Sequence, residues 1–278
     1  MDDQGQSRAR FRKQAVRLRQ LRKVYDGQGG PLTALDNFSC DIADGEFAII
    51  LGPSGCGKST VVRIIAGLEP PTSGTVLVNG APVTEAGKAC GMVFQSYTSF
   101  PWLTVLENIA FGLRYTAGGG RRERHERARE FARMVGLADF ENAYIKQLSG
   151  GMKQRVAIAS ALATDPGILL MDEPFGALDS QTRMAMQEQL LSITEGSDKT
   201  VIFVTHDIEE ALLLGDRIYV CTARPAGILA ELDVPFPYPR TPALRAQKKF
   251  GDMKYEIFHL LRDQAYAQML EAAGERRR

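Results

Sequence analysis

The sequence has little of what builds disulfide frameworks or metal clusters. Four cysteines occur in 278 residues, Cys40, Cys56, Cys90 and Cys221, and no two are spaced as a CxxC pair. A disulfide framework would be sparse at this length, and a reducing, cytoplasmic compartment is the simplest expectation. The net charge is only +1, so a global basic excess for gripping nucleic acid is absent. No apolar run approaches the roughly 18–20 residues of a spanning helix. The longest, Phe47–Leu51 and Val156–Leu162, are strand-sized or part of a short helix. Arg8, Arg10, Arg12 and Lys13 precede no apolar segment, which argues against a secretory signal. Any membrane role is therefore expected to come through a partner.

What is present is an ordinary globular balance, 44% hydrophobic and 24% charged, which excludes a disordered or fibrous chain. The length suits one large domain or two small ones. Such a chain buries roughly 70–75% of its unfolded surface and needs no structural metal to fold. Residues 8–23 hold eight Lys/Arg and no acid. A nucleic-acid or lipid arm is one reading. The alternation of Val16 and Leu18 with Arg17 and Arg19 favours a strand with a solvated basic face.

Phe47–Leu51, Ile168–Met171 and Val201–Val204 are short continuous apolar runs, which suit parallel strands covered on both faces. Each ends in polar residues, so a site is expected at the strand C-termini of a parallel sheet. The pattern predicts helices over Ser59–Leu68, Arg121–Val135 and Met152–Ala163. Gly118-Gly119-Gly120 marks a loop. Pro235, Pro237, Pro239 and Pro242 forbid a regular element over 234–242. Beyond them Met253, Ile257, Leu260 and Leu261 form a helical stripe expected to pack on the body.

The sharpest signal is Gly52-Pro53-Ser54-Gly55-Cys56-Gly57-Lys58-Ser59-Thr60, a GxxxxGK[ST] loop between a predicted strand and helix. Its glycines let backbone N–H groups curl around phosphate oxygens. Lys58 reaches the β- and γ-phosphates, Ser59 suits Mg²⁺, and the helix N-terminus favours the anion. Cys56 contributes backbone to the ligand and is expected to be inert. Asp172 suits Mg²⁺ held through water, and Glu173 suits activation of a water for attack on the γ-phosphate. The bland alternative for this pair is a surface turn aided by Pro174. Of three histidines, His206 ends the third apolar run and is a candidate γ-phosphate contact. His125 reads as solvated and His259 as structural. Ser149-Gly150-Gly151 precedes a helix and offers a second anion-binding device. One triphosphate does not need two, so this one is expected to serve a nucleotide on another copy.

In their order along the chain, Gly52–Thr60, Gln95, Leu148–Gly151, Met171–Pro174, Ala177-Leu178-Asp179 and His206 resemble the ATP-binding subunits of ABC transporters. The resemblance covers about residues 14–235, with a helical subdomain near 96–163 and a Pro-rich linker and helical tail over 236–278. It implies an α/β fold: a P-loop ATPase core with a mostly parallel sheet, an antiparallel β subdomain and an α-helical subdomain. It also implies a head-to-tail dimer of two copies sandwiching two ATP molecules, each with Mg²⁺. In that resemblance Tyr25 stacks on adenine and Gln95 touches Mg²⁺ and relays the nucleotide state. Asp172 holds Mg²⁺ through water, Glu173 is the base and His206 the γ-phosphate sensor. Asp179 is a dimer-interface residue of the nucleotide-binding set.

One departure stands out: the family's usual Gln after the second signature Gly is Met152 here, which offers no amide hydrogen bonds. The stretch Phe94–Val105, with Trp102 after Pro101, is similar to the nitrate, sulfonate and taurine importer branch. Tyr97, Phe100 and Trp102 would then line a socket for an integral membrane permease, or else lie buried in the helical subdomain. The branch further implies an external solute-binding protein, no nucleic acid, and a peripheral place on the cytoplasmic face of the inner membrane. Too few residues follow His206 for the long regulatory domain of sugar importers. Two rivals fit less well. A soluble repair or translation ATPase would carry a long coiled-coil insertion or two cassettes, and a P-loop kinase would not need Ser149–Gly151.

Overall fold

The structure is a computed structural model that describes residues 13–27, 30–96, 98–116, 120–195 and 197–275, the side chains only to 264 in the last helix. The chain divides into two compact units, Met1–Ala86 with Thr200–Arg278, and Gly87–Lys199. The first opens with β1 (Gln14–Gly27), β2 (Gly30–Ala43), β3 (Phe47–Leu51), α1 (Lys58–Ile65), β4 (Ser73–Val78) and β5 (Ala81–Pro82). The second holds β6 (Cys90–Val93), α2 (Val105–Thr116), α3 (Arg121–Met134), α4 (Gly150–Ala163), β7 (Ile168–Asp172) and α5 (Ser180–Thr194). The chain returns to the first unit with β8 (Thr200–Thr205), α6 (Ile208–Leu214), β9 (Arg217–Cys221), β10 (Ile228–Asp233) and α7 (Lys248–Glu275).

In the first unit, β3 runs parallel to β8 on one side and to β9 on the other, and β10 closes on β9 antiparallel. Every residue of β3 and β8 is buried, the reason these strands read as unbroken apolar runs rather than alternating ones. A separate antiparallel sheet has the order β2-β1-β4-β5. There β1 does alternate, with Val16 and Leu18 buried and Arg17 and Arg19 exposed. A register shift between Leu18 and Leu21 inserts a bulge, with Gln20 at φ 49°, so Leu21 returns to the buried face. The basic face is partly neutralised by β2: Arg19 Nη2 lies 2.6 Å from Asp41 Oδ2, and Arg22 Nε 3.7 Å from Asp36. Residues 8–12 of the basic stretch lie outside the described residues.

Helix α1 stops at Ile65, short of the predicted Leu68. Gly67 at φ +72° ends it, because a left-handed residue cannot continue a right-handed helix. The Pro-rich stretch has no strand or α-helix up to Thr241, yet it is anchored rather than loose. Val234, Phe236 and Arg240 are buried, and the Arg240 guanidinium donates to the carbonyls of Phe236 and Gly215 and to Asp216 Oδ1. The stripe of α7 packs on this unit: Phe250 and Ile257 are buried, and Phe250 meets Phe236 at 5.7 Å. His259 sits half-buried against Tyr255 at 4.1 Å.

In the second unit, β6 and β7 pair in parallel. Helices α2, α3 and α4 enclose an apolar core that includes Ile109, Leu113, Ala128, Ala132, Val156 and Ala159. Ala128 and Ala132 face inward from α3, as the spacing predicts. His125 on that helix is half-buried rather than solvated, and burial lowers its pKa. Leu113 is fully buried in this core. Leu113→Ala is expected to cost about 2–5 kcal/mol, through lost transfer energy and the cavity left behind. Urea unfolding of the full chain checks this, and a change below about 1 kcal/mol would contradict the packing described.

Candidate functional site

In the first unit, the parallel strands β3 and β8 end side by side, Leu51 opposite Thr205. Gly52 and His206 therefore emerge together, and Gly52 N donates to the Thr205 carbonyl at 3.4 Å. From there the loop curls to the start of α1. Gly57 caps that helix at φ +126°, and its carbonyl accepts from the N–H groups of Thr60 and Val61. A Cβ at Gly57 would lie 2.6 Å from the Ala34 carbonyl oxygen, so both the backbone angle and the space demand glycine. Pro53, Ser54 and Gly55 form the exposed lip of the loop.

Lys58 is buried, 3% exposed, and its Nζ donates to the carbonyls of Gly52 and Pro53, both at 2.8 Å. A buried ammonium is costly unless it meets good acceptors, and a triphosphate is a stronger one than two carbonyls. The buried Cys56 thiol is pushed up in pKa by that burial, which fits the expected inertness. Ser59 is half-buried and Thr60 buried on the first turn of α1. The half-buried Tyr25 donates its hydroxyl to Glu69 Oε2 at 2.6 Å and sits 3.2 Å from Thr60 Oγ1. Burial first, and the Glu69 bond second, raise the phenol's pKa. The Tyr25 ring is thus tied to the helix that begins at Lys58, with Lys23 Nζ 5.0 Å from its centroid.

His206 is exposed, and with Gly52, Pro53, Cys221 and Ala223 it lines a cavity of about 90 Å³. Leu261 and Gln264 of α7 complete the lining. Sequence reasoning did not foresee these tail residues beside the loop. It also missed Arg224, which donates to the Gly55 carbonyl across 169 residues. The apolar stripe that includes Leu261 signalled packing on the body but not this place, and the bare sequence carries no signal for Arg224.

In the second unit, β6 and β7 end together, Val93 opposite Met171, so the residues that follow both strands leave from one edge. Gln95 lies in an exposed bend two residues after β6. Asp172 ends β7 and is buried. Glu173 follows at φ 44°, a left-handed backbone angle that costs a non-glycine residue of order 1 kcal/mol.

Ser149 is the N-cap of α4, its hydroxyl accepting from Met152 N at 3.3 Å, and Gly150 and Gly151 form the first helical turn. The first N–H groups of a helix have no intrahelical acceptor, so this end faces anions favourably. The Met152 side chain packs on the apolar core of α2–α4, so it has an apolar role in place of an amide's polar one. Asp179 caps α5, accepting from Gln181 N and Thr182 N, and those bonds lower its carboxyl pKa.

Of the three aromatics singled out, Tyr97 lies outside the described residues. Trp102 is 68% exposed and Phe100 half-buried, so burial in the helical subdomain does not describe Trp102. Phe100 stacks with Trp102 at 5.5 Å and with Phe111 at 4.4 Å, and Phe111 reaches the exposed Tyr115 at 5.9 Å. The i, i+4 spacing of Phe111 and Tyr115 on α2 was the available sequence signal. The buried Asn108 fixes the loop beneath: Oδ1 accepts from Phe100 N, and Nδ2 donates to the carbonyls of Phe100, Leu103 and Thr104.

A glycine-lined phosphate loop with a buried lysine, on an α/β scaffold, defines a P-loop nucleotide-binding protein. The comparisons narrow that class. The ABC transporter family matches residues 35–176, and the chain belongs to it. An ABC transporter ATP-binding protein of Methanocaldococcus jannaschii is 47% identical over 95% of this chain and 97% of its own. A nitrate import ATP-binding protein of Synechocystis is 46% identical over 89% and 95%. A taurine import ATP-binding protein of Burkholderia pseudomallei is 47% identical over 87% and 92%. Among solved structures, a dimeric ATP-binding cassette in a post-hydrolysis state with ADP and Pi is similar at TM-score 0.73 and 38% identity. It covers 79% of this chain and 98% of that one. The fold is the ABC ATPase fold, and the chain is an ATPase of that family.

Gly57→Ala tests the loop geometry. A methyl group 2.6 Å from a carbonyl oxygen, on a backbone at φ +126°, forces the start of α1 to shift. The variant is expected to bind a fluorescent ATP analogue at least about fivefold more weakly, in line with strain of about 1–3 kcal/mol. Unchanged binding would remove the loop from the nucleotide site.

Proposed function

We propose that this ATPase energises import of a small solute, an anion such as nitrate, a sulfonate or taurine, through a separate membrane permease. An external solute-binding protein delivers the solute, and the ATPase sits peripherally on the cytoplasmic face of the membrane. The observation that carries the reading is the pair of helix N-termini built for anions, α1 behind Gly52–Thr60 and α4 behind Ser149-Gly150-Gly151. One triphosphate uses one of them, so two copies arranged head to tail, each lending its α4 end to the other's ATP, use both. The names of the nitrate and taurine relatives support the import reading. Among the described residues no helix is long and apolar enough to cross a membrane, in keeping with a permease on another chain.

In this reading the P-loop N–H groups and Lys58 hold the β- and γ-phosphates, and Tyr25 stacks on adenine. Glu173 accepts the proton of a water that attacks the γ-phosphorus. The bond to the β–γ bridging oxygen breaks, and ADP leaves with that electron pair. His206 contacts the γ-phosphate and Asp179 the dimer interface. The Ser59 hydroxyl, the Gln95 amide and the Asp172 carboxylate, the last through water, fit Mg²⁺ because all offer hard oxygen donors. Among the described residues no cluster of three His, Cys, Asp or Glu could hold a metal unaided, which suits an ion shared with phosphates. Bound there, Mg²⁺ neutralises developing phosphate charge. Closure of the dimer on ATP drives the permease through alternating access, and product release resets it.

Glu173→Gln removes the base while keeping the shape, so ATP persists and the sandwich stays shut. Size exclusion is expected to give a dimer with Mg-ATP and a monomer with Mg-ADP. A monomer in both, with ATP binding confirmed separately, would count against a self-sufficient dimer of this chain. The aromatic row of Phe100, Trp102, Phe111 and Tyr115 is the surface proposed to receive a cytoplasmic helix of the permease. Trp102 is the single tryptophan, and its emission is expected to shift to shorter wavelength when permease is added. An unchanged spectrum alongside demonstrated complex formation would place the permease elsewhere.

A further inference from the structure

The turn between β9 and β10 touches the phosphate loop at two glycines. Arg224, at its tip, donates from Nε at 3.0 Å and from Nη2 at 2.5 Å to the one carbonyl of Gly55. Ala226, two residues on and fully buried, would meet a Cβ of Gly57 at 3.4 Å. The turn itself is stiff. Thr222 Oγ1 donates to the Pro225 carbonyl at 2.9 Å and accepts from Gly227 N at 2.8 Å. Thr222 N also donates to the Gly227 carbonyl at 3.0 Å. The turn is stitched to β2 as well, Ala226 N donating to the Ala34 carbonyl and the Ala226 carbonyl accepting from Asp36 N. That same Ala34 carbonyl is the atom that leaves no room for a side chain at Gly57.

Gly55 stands at φ +77°, with both flanking residues, Ser54 and Cys56, inside the phosphate loop. A loop of this kind binds anions only while its successive N–H groups converge. Convergence is an ordering cost that falls on binding unless the free loop is already held. A forked donor on the Gly55 carbonyl, mounted on a turn that is itself hydrogen-bonded to the sheet, holds it beforehand.

We infer that Arg224 is a positioning residue of the nucleotide site, bracing the phosphate loop through the Gly55 carbonyl so that its N–H groups are aligned before ATP arrives. The inference rests on Gly52–Thr60 being the triphosphate cradle. Arg224 meets the loop at a backbone carbonyl, so its effect is expected in binding rather than in the chemical step.

The test uses the full chain, with Arg224→Ala, Arg224→Gln and Arg224→Lys, and Lys58→Ala as the control for the cradle. Nucleotide affinity is measured by titration calorimetry, together with KM, kcat and Tm. Arg224→Ala is expected to weaken ATP and ADP alike by about three- to tenfold, the net scale of one ordinary hydrogen bond, because the brace acts on the loop and not on the nucleotide directly. KM should rise by the same factor, with kcat within about twofold and Tm within about 2 °C of the parent. Arg224→Lys should recover part of the affinity. Arg224→Gln, a neutral donor, should recover part as well if the bond to Gly55 is what matters. Wild-type affinity in Arg224→Ala, with binding lost in Lys58→Ala, would overturn the brace and leave the cradle standing. A fall in kcat at unchanged KM would overturn it too. Normal binding in Lys58→Ala would overturn the cradle reading itself, and the brace with it.

Discussion

The first unit depends on one buried cation. Lys58 lies in a loop that must stay open to a polyanion, yet its ammonium is withdrawn from water and satisfied by two carbonyls of that loop. Stripping a charge of its water costs several kcal/mol unless other groups replace it. Two carbonyls replace part of that hydration. The surrounding sequence follows from that need. Gly57 supplies a backbone angle that other residues resist, and the apolar β3 and β8 give the loop a rigid base. The pin from Gly52 N to the Thr205 carbonyl keeps His206 at the loop's foot.

The second unit is built differently. Among its described residues no lysine is buried. A serine cap and two glycines open α4, and the residue after β7, Glu173, stands at a left-handed backbone angle. Gly151 is held close by Thr182 and Leu178, at 3.3 and 3.4 Å from where a Cβ would stand, so an added methyl would make these side chains give by a few tenths of an ångström. Met152 turns its side chain to the apolar core, which helps anchor the first turn of α4 while its backbone N–H serves the Ser149 cap. Packing and polar chemistry are thus separated within a single residue.

Much of this was legible because local chemistry and tertiary role coincide. Unbroken apolar runs announced β3, β7 and β8, since strands covered on both faces have no polar side to betray. The loop at Gly52–Thr60 was legible because its spacing is its mechanism. Three features were not. The bulge at Gln20 breaks the alternation of β1 by a backbone angle that glutamine rarely adopts. The anchoring of the Pro-rich stretch comes from Arg240, whose acceptors Gly215 and Asp216 are far away in sequence. Arg224 reads as one more surface arginine until the fold brings it to Gly55. For both arginines the deciding partner is remote, and a composition or period argument sees only neighbours.

The aromatic row on α2 shows how a surface feature can be a product of the interior. An exposed Trp102 and Tyr115 give up the burial that aromatic rings usually gain. Flexible side chains would be expected to collapse onto the helix and hide that surface. Here the buried Asn108 uses both ends of its amide to lock the backbone from Phe100 to Thr104. An unsatisfied amide in that position would be costly, so the four bonds are cooperative in effect: losing one loosens the others. Phe100 and Phe111, stacked at 4.4 Å, then form the floor on which Trp102 rests. The exposed ring is held out by a polar group that never reaches the surface, and a face ordered in advance loses less conformational entropy on any contact it makes.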